Sequence, residues 1–350
     1  MKRFTLAAAV LAGALVGGAG IGPAAWADAA DFYRGRNVNM LVGYGPGTGY
    51  DVYARAVTRH MDRHIPGKPR FVVLNMPGAG SLNMLNHLAN ASPRDGSAVG
   101  MPARQLFFEP LYGNDKAKFN PLEFTWIGSV GKDSPLCFTW HTSGIRTFED
   151  TLKKEVMVGS TGAASNSNIY PRILNGIVQT KFKVISGYKG SDDIGLAMER
   201  GELAGYCSFG WSSIKSARRS WIEKKQINIL IQLAMKKHPE LPDVPLVVDL
   251  VKNEADRQAL ALVFAQGDIA RPLIGPAGVP GERADALRAA FDATMKDAAF
   301  LADAQKSGLE VEPLTGAEME ALVREVYKTP KDVVQRVIAV RPAVPKKKSQ

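Results

Sequence analysis

The sequence predicts an α/β fold with parallel-rich sheets, and three observations carry that prediction. Short apolar runs alternate with amphipathic stretches, glycine-rich turns follow several of the runs, and no flexible linker interrupts the middle of the chain. Strands interleaved with helices build parallel sheets, because a parallel partner is reached only through a long crossover. Without a linker, two domains are joined by chain crossings rather than a tether. That arrangement suits two lobes that close about a hinge.

In chain order, the apolar runs at 37–42, 71–75, 98–101, 126–130, 136–140, 156–159, 183–186, 205–208, 228–234 and 271–275 read as strands. Between them, 52–64, 82–90, 166–178, 193–200 and 214–224 repeat apolar residues every three or four positions and read as helices. Stretches 281–299 and 316–328 carry helix start signals: Glu282, Asp285, Glu318 and Glu320 favour the first turns, and Pro330 limits the second. No internal repeat is visible.

The chain opens with Lys2 and Arg3, an apolar run at 4–16 and the small-residue segment Ala25-Trp26-Ala27. This is the layout of a secretory signal peptide cleaved after Ala27. The run is shorter than the roughly 20 residues that span a bilayer, and no later segment is long and apolar enough. A soluble, exported mature chain is expected, with enough length for two domains.

A hydrophobic content of 45% and a charged content of 22% are those of a globular protein. The net charge of +10 falls to +8 when Lys2 and Arg3 are removed. The excess is spread thinly, and the one dense basic cluster, Lys346-Lys347-Lys348, lies in a tail expected to be disordered. With no basic stripe interleaved with aromatics, nucleic acid is not an expected partner. Cys137 and Cys207 are either a disulfide, which an exported chain permits, or two buried thiols.

Chemistry concentrates in the turns. The stretch from Gly43 to Asp51 follows the first strand and opens a helix, so its backbone N–H groups and the helix dipole favour an anion. Similar turns lie at 76–81, 159–166, 187–192 and 205–210, rich in Gly, Ser, Thr or Asn. In an open α/β sheet such turns gather at the carboxyl ends of the strands, where ligands bind. Phosphate motifs fail: G-x-G-x-x-G would need glycine where Thr48 or Tyr50 stands, and no G-x-x-x-x-G-K-[ST] occurs. Around Cys207 glycine comes one place too late for a nucleophile elbow. His60 and His64 share a helix face but lack the glutamate of H-E-x-x-H, and they read as surface or packing residues. No nucleophile–base pair, metal set or cofactor motif is evident.

The residues Tyr44-Gly45-Pro46-Gly47-Thr48-Gly49-Tyr50-Asp51 resemble, position for position, the F-P-P-G-G-S-T-D pattern of the tripartite tricarboxylate transporter receptors, the periplasmic TctC-like or Bug family. The resemblance continues through Asn75-Met76-Pro77-Gly78-Ala79-Gly80, Pro93-Arg94-Asp95-Gly96, Gly159-Ser160-Thr161-Gly162, Tyr188-Lys189-Gly190 and Leu241-Pro242-Asp243-Val244-Pro245. It ends near Gly275-Pro276-Ala277-Gly278-Val279-Pro280, so it covers nearly the whole mature chain in order.

The resemblance implies a two-lobed periplasmic binding protein fold of type II character, with a ligand cleft between two sheets flanked by helices. Lobe 1 would comprise 28–131 and 264–340, and lobe 2 132–263, between the signal peptide 1–27 and a basic tail 341–350. It implies a monomeric, non-enzymatic receptor without cofactor. Such a receptor captures a di- or tricarboxylate or an aromatic carboxylate and delivers it to the membrane permease subunits of a tripartite transporter. An extracytoplasmic sensor, or an exported enzyme on the same scaffold, is the alternative. Carried over by position, Pro46, Gly47, Thr48, Tyr50 and Asp51 line one side of the cleft and Ser160, Thr161, Gly162 and Ala163 the other, with Gly78, Ala79 and Tyr188 beside them.

The resemblance implies that backbone amides and bridging waters from these loops hold the carboxylates, which is physically sound although no arginine stands in them. Asp51 either shapes its loop or meets a ligand hydroxyl or ammonium. Lys189 is either solvated or a cation at the rim. Tyr50, where the family pattern has Thr, either gives the cleft an aromatic wall or turns into the core.

Overall fold

The computed structural model describes residues 23–341. The expected signal segment up to residue 22 and the tail beyond Arg341 lie outside the described residues. The expected cleavage point after Ala27 falls inside the helix Pro23–Tyr33.

Two sheets organise the chain. The first contains β1 (Asn37–Val42), β2 (Arg70–Asn75), β3 (Ala98–Met101), β4 (Thr125–Ser129), β10 (Pro272–Gly275) and the short β11 (Leu314–Thr315), in the order β11-β4-β10-β3-β1-β2. The second contains β5 (Pro135–Trp140), β6 (Val156–Ser160), β7 (Phe182–Ser186), β8 (Gly205–Gly210) and β9 (Ile227–Gln232), in the order β7-β6-β8-β5-β9. All ten expected strands are present with bounds shifted by at most two residues. The eleventh, at two residues, is too short to leave a periodic signal.

The sheets are mixed rather than simply parallel. β1, β2 and β3 run parallel, as do β6, β7 and β8. The strand that enters each sheet from the other runs against both its neighbours: β10 between β3 and β4, and β5 between β8 and β9. Each entering strand comes from the other sheet rather than over a crossover within its own, which removes the constraint that makes strands parallel. Apart from β11, both sheets therefore share one order: second, first, third, entering and fourth strand. The repetition that the sequence does not display exists in the topology.

Burial follows position in the sheet. β3, β4, β5 and β10 are buried throughout, as expected of strands covered on both faces. Edge strand β2 alternates, leaving Val72 and Leu74 exposed. The helix Gly49–Met61 buries Tyr53, Ala54, Ala56, Val57 and Met61 against the first sheet, each large side chain worth about 1.5–3 kcal/mol. The expected helix 214–224 is two, Trp211–Ala217 and Arg219–Glu223, separated by Arg218 at φ −141° and ψ 35°. The expected helix 281–299 ends at Lys296, where Asp297 caps a new one by accepting from the amides of Ala299 and Phe300.

Helices Phe148–Lys153, Glu254–Phe264 and Lys331–Val340 add to those expected from the sequence. The last of these lies against Glu254–Phe264 and Asn166–Val178, with Arg336 Nε donating to Asp256 over 2.6 Å. The C-terminal helix thus leaves the first sheet, with which it was expected, and packs beside the second. Arg341 follows it with a buried ion pair to Glu109, so that residue is anchored. No helix among the described residues is long and apolar enough to cross a membrane. Cys137 and Cys207 face each other across β5 and β8, with Cα atoms 3.9 Å apart, and are joined by a disulfide.

Candidate functional site

The first glycine-rich turn is built around Asp51. Its carboxylate accepts from the Gly47 amide at 2.9 Å, from Arg55 Nε at 3.0 Å and from Asn75 Nδ2 at 2.9 Å. Gly47 holds φ +80°, a region glycine adopts without strain. Asn75 Nδ2 also donates to the Tyr44 carbonyl, and Thr48 Oγ1 to that of Gly45. Burial alone pushes the Asp51 carboxyl up, but Arg55, Asn75 and the Gly47 amide together hold it below its ordinary range. These bonds support the loop-shaping role for Asp51.

Opposite it, Ser165 Oγ donates to the Gly162 carbonyl at 2.7 Å and shares bonds with Ser160 and Ser167, while the Thr161 amide donates to Ser167 Oγ at 3.2 Å. The two sides touch. A Cβ on Gly162 would stand 2.9 Å from the Gly80 amide nitrogen, and one on Gly49 2.3 Å from Ser213 Oγ. The cleft is closed, and it closes where glycine leaves room.

Between the sides lies a narrow cavity of about 60 Å³. Of the residues expected there, Thr48, Tyr50 and Thr161 line it. Pro46, Gly47, Ala79 and Ala163 are exposed beside it, Gly78 is half-buried, and Ser160 and Gly162 support the opposite loop. Tyr188 packs with the apolar cluster of Phe138 and Trp221, away from the cavity, and Lys189 is exposed. Tyr50 takes the wall position: its ring lies 5.1 Å from that of Tyr44, and its hydroxyl accepts from the Arg104 amide at 3.3 Å. Tyr206 and Phe209 complete the aromatic surface. Burial, then the neighbouring Tyr50 and Tyr206, push the Tyr44 phenol well above its ordinary value, so it stays protonated. Ser208 lines the cavity with φ at 100°, a strained conformation for a residue with a Cβ.

The cavity also holds two arginines, although none stands in the loops named from the sequence. Arg104 and Arg271 both line the cavity, 4% and 2% exposed, with Asp133 between them. Arg271 Nη2 reaches Asp133 at 3.1 Å, Ser212 Oγ at 3.2 Å and Ser213 Oγ at 2.7 Å. Its guanidinium lies 4.8 Å from the Tyr50 ring centre and 4.7 Å from that of Tyr53. Burial raises the Asp133 carboxyl, but Arg271 and then Arg104 overcome it and keep the group ionised. Neither arginine stands in a glycine-rich turn. Arg104 follows β3 and Arg271 precedes β10, each interrupting an apolar stretch, and that interruption was the one local signal available.

His60 and His64 are engaged in packing the helix Ala298–Lys306: their Nε2 atoms lie 3.0 Å from Asp303 and 2.7 Å from Asp297.

No protein-family model matches the chain, and no curated protein matches it by sequence. Solved structures do match its fold. The periplasmic binding protein BugD is similar at a TM-score of 0.69 and 19% identity, over 88% of this chain and 99% of that one. MatC from Rhodopseudomonas palustris, solved with bound malate, gives a TM-score of 0.68 and 17% identity over 85% and 99%. An R. palustris protein solved with adipate gives 0.66 and 15% over 86% and 97%. The chain thus has the two-lobed α/β fold of these solved structures.

Proposed function

We propose that the chain is an exported solute-binding receptor, which closes its two lobes on a small carboxylate and delivers it to the membrane permease subunits of a tripartite transporter. The observation that carries the reading is the closed, hydroxyl-lined cleft in which two buried arginines face one aspartate. Such a site favours an anion, and hydrogen bonds to a charged carboxylate contribute about 1.5–3 kcal/mol each. Structures of the same fold that hold malate and adipate add support by analogy of fold. On this reading the signal segment ends at Ala27, and the lobes follow the two sheets, with Lys331–Val340 lying across to the second. The protein works as a monomer and transforms nothing.

A thermal-shift panel of mono-, di- and tricarboxylates, aliphatic and aromatic, tests it. A bound ligand raises the melting temperature by mass action. At least one carboxylate is expected to do so and to be recovered unchanged. If only a sugar or a cation shifts the transition, or if the bound acid is turned over, the reading fails. Tyr50→Thr is expected to change the ranking of acids, and an unchanged ranking would deny Tyr50 a place in selectivity.

A further inference from the structure

Three of the described residues lining the cavity carry charge: Arg104, Arg271 and Asp133. Their sum leaves one positive charge in excess, carried on side chains that are themselves buried. The two arginines are not equivalent. Both terminal nitrogens of Arg271 are committed, Nη2 to Asp133 and two serine hydroxyls and Nη1 to the Ala270 carbonyl, and its guanidinium is held over two tyrosine rings, with only Nε left buried and unpartnered. Arg104 Nη1 is buried and makes no hydrogen bond, because Asp133 Oδ2 lies at 3.6 Å, beyond bonding reach. Leaving a charged donor buried and unsatisfied is costly, so the site is built to receive an acceptor there. Asn166 lines the same cavity and shows the complementary deficit. Its Nδ2 donates to Gln266 Oε1 at 2.8 Å, while its Oδ1 has no donor.

Resting on the carboxylate-receptor reading, we propose that the ligand is a monocarboxylate with an aromatic or similarly flat apolar body and one hydrogen-bond donor. Its carboxylate pairs with Arg104 Nη1, its donor meets Asn166 Oδ1, and its body lies against Tyr44, Tyr50, Tyr206 and Phe209, with the lobes parted further than here, since about 60 Å³ is too little for an aromatic ring. The charge balance selects the monoanion. One carboxylate cancels the single excess charge, whereas a second would be buried among hydroxyls and Asp133 without a cation of its own, at a desolvation cost its surroundings do not return. Arg104 thereby sets specificity, and Arg271 holds the floor on which it acts.

Calorimetric titration of the mature chain tests the assignment. The probes are benzoate, para-hydroxybenzoate and phenylacetate, the amides of the same acids, and the dicarboxylates terephthalate and adipate. The tightest monocarboxylate is expected to bind at least tenfold more strongly than its amide and than either dicarboxylate. In Arg104→Gln it is expected to lose at least tenfold, and its preference over the amide is expected to fall towards one. A role for Arg104 in folding alone would not remove that preference.

A dicarboxylate binding as tightly as the best monocarboxylate overturns the charge assignment and leaves the carboxylate receptor standing. A loss below tenfold in Arg104→Gln overturns the role of Arg104. Binding by none of the three monocarboxylates overturns this proposal, while the receptor reading stands or falls on the wider thermal-shift panel. If Arg104→Gln does not fold, the comparison of acid, amide and dicarboxylate on the unaltered chain decides the charge, and Arg104→Lys takes its place in testing the residue, with the same tenfold criterion.

Discussion

Arg271 Nη2 and Asp133 Oδ2 meet 3.1 Å apart, both side chains almost inaccessible, and each comes from one of the two chain crossings between the sheets. Asp133 follows β4 and Arg271 precedes β10. The crossings run side by side, with the Val130 amide donating to the Arg271 carbonyl and the Ala270 amide to that of Gly131. The pair therefore ties the hinge together at the floor of the cleft. Asp133→Asn leaves two buried guanidinium groups without their counter-ion, and a loss of about 3–5 kcal/mol is expected. Urea unfolding followed by circular dichroism measures it, and a loss under about 1 kcal/mol would deny the pair that role.

Acid should act through the same carboxylates. Asp51 and Asp133 are both held below the ordinary carboxylate range in the folded chain. Each therefore contributes stability that is present above the unfolded value near 3.9 and is lost as pH falls through the lower folded value. The urea midpoint should be level above about pH 5 and decline below about pH 4. Asp51→Asn should flatten part of that decline, and an unchanged slope would remove Asp51 from the account.

Closure depends on close approach at Gly49. It starts a helix, and an added Cβ would stand 2.3 Å from Ser213 Oγ and 2.9 Å from Ser213 Cβ across the cleft. Nothing in its own backbone forbids alanine, so Gly49→Ala should burden only the closed state. The expected outcome is a stability within about 1 kcal/mol of the parent, with carboxylate affinity reduced at least tenfold. Small-angle scattering should then show no compaction on adding ligand. Compaction equal to that of the parent would show that this contact does not limit closure.

The disulfide closes a chain separation of 70 residues. The chain-entropy account gives about 4 kcal/mol for a loop of that length. Cys137 and Cys207 are buried, at 1% and 0% exposure, so reductant should act only after the sheet opens. Unfolding of the Cys137→Ala/Cys207→Ala double variant should show a loss approaching that figure. Equal midpoints with and without the bridge would place its stabilising effect near zero.

By itself the amino-acid sequence determined the strands, most of the helices, the export signal as an expectation and the glycine-rich turns that face the cleft. These are local properties, since apolar period, capping residues and glycine's freedom act over a few neighbours. Thr48, Tyr50 and Thr161 were legible for that reason: each sits in a turn whose composition announces it.

Tertiary structure alone decided the rest. Arg104 and Arg271 are two among 44 lysines and arginines, and nothing within a few residues says that they will meet Asp133 under Tyr50. That meeting depends on two chain crossings placing segments 138 residues apart side by side. The reversed strands β5 and β10 depend on the same crossings, and the last helix reaches the second sheet by a later one. Charge pairing and lobe packing are set by distance in space, which local periodicity does not encode.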